Sequence, residues 1–159
     1  MPTTGPVSPI RLMDALADAD DRLVARLATL RPTEAWPPDL APLVTQLIDQ
    51  VTTHLHRERH LLLPCLRDVA QAAATGIPHP RCPYPTLAHP MRVMEEEHQA
   101  PLATLRQLHD RTTGYARPLD GLAGALTTLR EVDAALREHV RMADHELFPR
   151  VLDLEAGLA

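Results

Sequence analysis

The chain has 159 residues, a net charge of −5 and 45% hydrophobic residues, a composition typical of one globular domain. Aromatic residues make up only 3% of the sequence, which argues against a surface that stacks single-stranded nucleic acid. The negative charge argues against a protein that binds the phosphate backbone, and no apolar run is long enough to cross a membrane. We therefore expect neither a nucleic-acid partner nor a membrane partner.

The two cysteines, Cys65 and Cys82, form no CxxC motif, so the sequence supports neither a zinc knuckle nor a redox dithiol. Residues 1–9 carry no basic segment followed by an apolar one, as a secretory signal would. These features predict a cytoplasmic protein. Nine histidines are the unusual part of the composition.

Prolines and glycines divide the chain into four long segments with helical periodicity, and no segment alternates as a strand would. The predicted helices cover roughly residues 9–31, 39–74, 90–113 and 118–155. A proline-rich loop over 76–86 joins the second helix to the third. We therefore predict a single all-α domain over residues 1–159, folded as an up-down-up-down four-helix bundle.

Each predicted helix carries an apolar stripe with steps of three and four residues, and each stripe is interrupted near its middle by a polar residue. The stripe of the second helix consists of Leu40, Leu43, Leu47, Val51, Leu61 and Cys65. The polar residues within the four stripes are Asp20, His54, Glu58, His98 and His139. Periodicity therefore predicts that these five side chains point into the bundle.

An internal repeat indicates that the polar positions lie at one level. His54 is followed by a histidine six residues later and by Pro64 after ten residues. His139 is followed by a histidine and by Pro149 at the same distances. Two helical hairpins related by a pseudo-twofold axis would bring the polar positions of all four helices together.

Histidines and carboxylates inside a dry bundle need a neutralising partner, because a buried unpaired charge is costly. Imidazole and carboxylate are natural ligands for iron, manganese or zinc. His54 and Glu58 are four residues apart on one helix, so both side chains can reach the same ion. The sequence therefore predicts a metal site between the four helices.

Other residues near the predicted site leave alternatives open. Asp144 follows His139 by five residues, so it reaches the same ion only if the helix is locally distorted. The run 95–97 is interpreted as a solvated acidic face, with inward-pointing Glu95 as the alternative. Pro101 predicts a kink just after His98. The remaining histidines are expected on the rim, in loops or in solvent: His56, His60, His79, His89, His109 and His145.

At these motifs the chain resembles hemerythrin-like (HHE cation-binding) domains, and more closely the iron-binding part of the RIC (repair of iron centres) family. The similar segments are His54-x-x-x-Glu58 running to Pro64, the run that ends at His98, and His139 running to Pro149. The resemblance implies a four-helix bundle with a carboxylate-bridged non-haem di-iron centre. It also implies a link to oxygen, nitric oxide or iron-sulfur cluster repair.

The chain departs from the family pattern on one side of that centre. It has Asp20 where the family has a histidine, and Ala143 where RIC proteins have a bridging glutamate. Hemerythrins use an aspartate at the position of Asp144. The resemblance therefore implies one iron held by three imidazoles, from His54, His98 and His139. A second iron would keep only carboxylates, from Glu58, Asp144 and Asp20, so we expect an asymmetric centre whose second ion is weak or absent.

We expect a non-enzymatic protein that binds iron and stores it, donates it to an iron-sulfur client protein, or senses oxygen or nitric oxide. Manganese and zinc are alternative ions. One competing interpretation is a metal-dependent redox enzyme that acts on oxygen, peroxide or nitric oxide. Another is a metal-free bundle that serves as a structural or interaction module.

Overall fold

The computed structural model describes residues 5–78 and 82–159, so His79 lies outside the described residues. Within these ranges all regular structure is helical, and the helices form four long units. This confirms the expected all-α four-helix bundle. Within the same ranges, no helix is long and apolar enough to cross a lipid bilayer.

The first two bundle helices differ in their continuity. Bundle helix 1 is one α-helix, α1 (Pro9–Ala28), whose N-cap Ser8 accepts a hydrogen bond from a backbone N–H of the first turn. Bundle helix 2 consists of α2 (Ala41–Arg57), the first π segment (Glu58–Leu62) and α3 (Leu63–Thr75).

Bundle helices 3 and 4 are also interrupted. Bundle helix 3 consists of α4 (Ala88–Glu97) and α5 (Gln99–Arg111). Bundle helix 4 consists of α6 (Ala123–Val140), the second π segment (Arg141–Leu147) and α7 (Phe148–Leu158). Each interruption lies about half way along its bundle helix.

Two apolar clusters fill the interior, one at each end of the bundle. The first lies where α2 packs on α5 and the later part of α1 packs on α6. The second lies where α3 packs on α7 and the start of α1 joins them. Five buried polar side chains fall between the two clusters, and every bundle helix contributes at least one of them: Asp20, His54, Glu58, His98 and His139. The bundle therefore contains a polar layer between two largely apolar ends.

One predicted core position is wrong. Leu61 is 53% exposed, and its neighbour Leu62 is buried in its place. The reason is the first π segment, because a π turn holds one more residue than an α turn and shifts every later side chain around the axis.

Candidate metal centre

Each π segment ends beside a proline that cannot donate a backbone hydrogen bond. Before Pro64, the N–H of Leu63 bonds to the carbonyl of Glu58, five residues back. Before Pro149, the N–H of Phe148 bonds in the same way to the carbonyl of Ala143. These widened turns recur at the two matching positions of the internal repeat. π turns of this kind are frequent at functional sites.

Bundle helix 3 has a different interruption at the same level. α4 ends at Glu97 and α5 begins at Gln99, so His98 occupies the junction. Pro101 has no N–H to donate to the carbonyl of Glu97, which is the cause that the sequence indicates for the break. His98 therefore lies at a break in its helix, whereas His54 and His139 lie in α-helix within about one turn before a π segment.

Four side chains from three bundle helices converge in this layer. His54, Glu58, His98 and His139 each contribute one ligand atom, and these atoms all lie within 4.8 Å of one another. All four residues are buried. We call them the His₃Glu cluster.

The carboxylate of Glu58 lies at the centre of this cluster. Its Oε2 is 3.1 Å from Nε2 of His54 and 3.3 Å from Nε2 of His139. The same oxygen is 3.8 Å from Nε2 of His98. Three imidazoles thus direct the same kind of nitrogen towards one carboxylate oxygen.

The imidazole rings meet edge to face instead of stacking. The ring centroids of His54 and His98 are 4.5 Å apart, and their planes are inclined by 74°. The His139 ring is 5.7 Å from His54 and 5.3 Å from His98, with angles of 89° and 85°. Rings arranged in this way can direct their lone pairs to one point, as ligands of a single ion do.

Each histidine of the cluster has a carboxylate at its other nitrogen. Nδ1 of His139 is 2.7 Å from Oδ1 of Asp20. The two remaining Nδ1 contacts are both 3.1 Å, from His54 to Oε2 of Glu97 and from His98 to Oδ2 of Asp144. A carboxylate at this position fixes the ring orientation and tautomer, leaves Nε2 free to ligate and raises the basicity of the ligand.

The charges in this layer are strongly coupled. Burial opposes the charged form of Glu58, but the imidazoles of His139, His54 and His98 outweigh it and hold its pKa well below the usual range. Burial also opposes the charged form of His139, yet Asp20 and Glu58 raise the pKa of this imidazole to about 10. In the protein without metal, protons therefore serve as the positive charge between the carboxylates.

The pKa values of two further groups are also set by burial and by neighbouring charged side chains. Burial raises the pKa of Asp20, although His139 acts in the opposite direction. Burial would lower the pKa of His98, but Asp144 and Glu58 together raise it. The layer is thus a set of acids and bases that share protons in a poorly solvated space.

The donor set fits one cation. Among the described residues, several buried side-chain atoms have no partner in hydrogen-bonding geometry, namely Nε2 of His54, Nε2 of His98, Oε1 of Glu58 and Oδ1 of Asp144. The first three belong to the His₃Glu cluster and are potential metal ligands. Buried polar atoms are normally satisfied, and an ion between the four side chains would satisfy these three.

The six site residues predicted from the sequence form two groups in the structure. His54, Glu58, His98 and His139 converge on one point. Asp20 and Asp144 are not part of that cluster, because each lies against the outer nitrogen of a histidine. The second π segment is the distortion that brings Asp144 to His98.

Glu97 contacts the cluster, although it is not among the site residues predicted from the sequence. The sequence predicts a solvated acidic face at this position, but only 22% of the Glu97 side chain is exposed. One carboxylate oxygen faces His54 and the other pairs with Arg57. Its position next to His98, just before the break caused by Pro101, was the only signal available in the sequence.

One side of the cluster faces a cavity that opens to solvent. This cavity has a volume of about 360 Å³, and His54, Arg57, Glu97 and Pro101 form part of its wall. His54 itself is buried, so its imidazole ring lies between the cavity and the rest of the cluster.

The chain is similar to known proteins over most of its length. Residues 11–151 match the family described as "Hemerythrin HHE cation binding domain". The iron-sulfur cluster repair protein YtfE of Yersinia pseudotuberculosis serotype IB is 26% identical over 132 residues, which are 81% of this chain and 53% of the relative. The iron-sulfur cluster repair protein DnrN of Neisseria gonorrhoeae is 27% identical over 124 residues, which are 76% of this chain and 70% of the relative.

The match extends through all four bundle helices, although the chain spans only about half the length of the Yersinia relative. A helical bundle, a buried histidine and carboxylate cluster and the family match lead to the same conclusion. The chain belongs to the hemerythrin HHE cation-binding domain family.

Proposed function

We propose that this protein binds one non-haem iron ion through His54, Glu58, His98 and His139. The observation that carries the proposal is the convergence of three Nε2 atoms and one carboxylate in a buried layer. Three imidazoles and a carboxylate suit iron, and manganese and zinc are alternative ions for the same ligands. Iron that keeps four protein ligands still has open positions, so oxygen or nitric oxide can bind there.

We also propose that the second metal position of the family is weak or absent in this chain. Asp20 and Asp144 would have to leave the imidazoles of His139 and His98 in order to ligate a second ion. Those imidazoles would then lose the partners that fix their orientation. An asymmetric centre with one tightly bound ion follows from this competition.

The role that we propose is iron handling in the response to nitric oxide or oxidative stress. The relatives are named iron-sulfur cluster repair proteins, which supports a role in which this chain stores iron, donates it to an iron-sulfur client protein or senses a small molecule. We place this activity in the cytoplasm, where such clients and a reducing environment are found. These roles require no catalytic residue beyond the metal ligands.

Metal analysis of protein reconstituted anaerobically with ferrous iron tests the proposal. We expect close to one iron per chain, with a Mössbauer spectrum of a single mononuclear site. The His98→Ala variant should lose this iron, whereas His109→Ala, an exposed histidine outside the layer, should keep it. Less than half an iron per chain in the parent protein would contradict the proposal, and two equally occupied sites would contradict the asymmetric centre.

A further inference from the structure

A surface groove beside the buried layer is lined by histidines and aspartates. α1 and bundle helix 2 enclose a groove of about 200 Å³. Its wall contains two histidines and two aspartates: His56, His60, Asp20 and Asp21. Both histidines are exposed, so neither belongs to the His₃Glu cluster.

The two histidines lie close together and four residues apart in bundle helix 2. His56 is in the last turn of α2, and His60 follows four residues later in the first π segment. Their ring centroids are 4.4 Å apart and the ring planes are inclined by 48°. Two histidines four residues apart on one helical face are a recurrent pair of metal ligands.

The charge of the groove is compatible with a cation. The guanidinium of Arg59 also lines the groove, but it donates to Oδ1 of Asp21 at 2.7 Å and to the carbonyl of Ala17 at 3.1 Å. Its charge is therefore met by Asp21. The carboxylate of Asp20 also lies in the wall, where it contacts Nδ1 of His139.

We propose that His56 and His60 form a second metal site, which holds a divalent transition-metal ion at the surface. The two imidazoles supply the protein ligands, and water completes the coordination. Imidazole ligands select transition metals over magnesium or calcium. The ion bound at the surface is therefore of the same class as the ion of the buried cluster.

The location gives this site a role in metal exchange. Asp20 forms part of the groove wall, and its Oδ1 is 2.7 Å from Nδ1 of His139. Asp20 therefore lines the surface groove and also contacts a histidine of the buried cluster. An ion held by His56 and His60 is a local reservoir from which the cluster is loaded. The exchange role rests on the proposed function, whereas binding at the surface pair does not.

Titration with zinc at about pH 7.5, where imidazoles are available as ligands, tests the binding. We expect the parent protein to bind one tight and one weaker equivalent. The double variant His56→Ala/His60→Ala should lose the weaker equivalent alone. His145→Ala is the matched control, because this exposed histidine has the equivalent position in the other half of the repeat. Retention of both equivalents in the double variant, or equal loss in the control, would overturn the site.

The His98→Ala variant separates the two proposals. It should lose the tight equivalent and keep the weaker one, and loss of both would overturn an independent surface site. If the parent protein binds only the weaker equivalent, the surface pair stands and the proposed buried site fails.

Loading kinetics test the exchange role. Uptake of ferrous iron into the cluster should be slower in the double variant than in His145→Ala, while the final iron content stays the same. Equal rates in both variants would overturn the role in exchange.

Discussion

At the scale of single residues, the carboxylates that contact Nδ1 of the three histidines fix the orientation of the imidazole rings. Asp20 contacts His139 from α1, the bundle helix that contributes no member of the His₃Glu cluster. Because Nδ1 faces a carboxylate, Nε2 is left to ligate. Asp20 thereby connects α1 to the centre without being one of the four converging side chains.

The Asp20→Asn variant tests this role. Asparagine keeps the shape and an acceptor oxygen but removes the charge, so we expect iron affinity to fall by about 10-fold while the number of bound ions stays the same. Asp18→Asn, an exposed position on the same helix, is the control and should bind iron normally. Equilibrium competition with a chelator measures the affinity. If the variant instead loses an ion from the stoichiometry, Asp20 is a ligand of a second metal.

At the scale of elements, the breaks in the helices shape the centre. α-Helical periodicity correctly predicted that the polar residues within the four apolar stripes are buried, because helix spacing sets which residues face inward. It failed for Leu61, because a π turn changes the spacing and leaves no periodic signal of its own. The contact between Glu97 and His54 could not be predicted from the sequence either, since it depends on how two different helices face each other.

The prolines that follow the π segments allow a test of this interpretation. In Pro149→Ala a new N–H can bond to the carbonyl of residue 145, which favours a return to α-helical spacing and moves Asp144 away from His98. We expect weaker iron binding with unchanged helix content by circular dichroism. Pro42→Ala is the control, because this proline lies in the first turn of α2, far from a π segment. Normal iron affinity in Pro149→Ala would mean that packing, and not the proline, maintains the widened turn.

At the scale of the whole molecule, the polar layer is where the bundle is held together by charge. Apolar contacts hold the two ends, but the middle depends on protons or on a cation between the carboxylates. A metal that binds only the folded state stabilises it in proportion to the logarithm of its concentration. At about 100 times its Kd, zinc should raise the Tm by about 5–10 °C in a domain of this size.

The increase in Tm produced by zinc should depend on pH. The direction of this dependence follows from the raised pKa values of His98 and His139. Above its ordinary value of 6.5, His139 holds its proton more strongly in the folded than in the unfolded protein, up to about pH 10. Its contribution to the stability of the metal-free protein is thus complete below pH 6.5 and declines as the pH rises towards 10. The contribution of Glu58, whose pKa is lowered from 4.5, is complete above that value and is lost in acid.

Metal binding has the opposite pH dependence, because the ion displaces the imidazole protons. The increase in Tm produced by zinc should therefore be larger at about pH 8 than at about pH 6, while the metal-free protein melts at a higher temperature at the lower of these two values. Thermal melts with and without zinc at both values measure this. The His98→Ala variant should show little increase at either pH. An increase in the parent protein that is equal at both values, or larger at pH 6, would mean that the ion does not replace protons on these histidines.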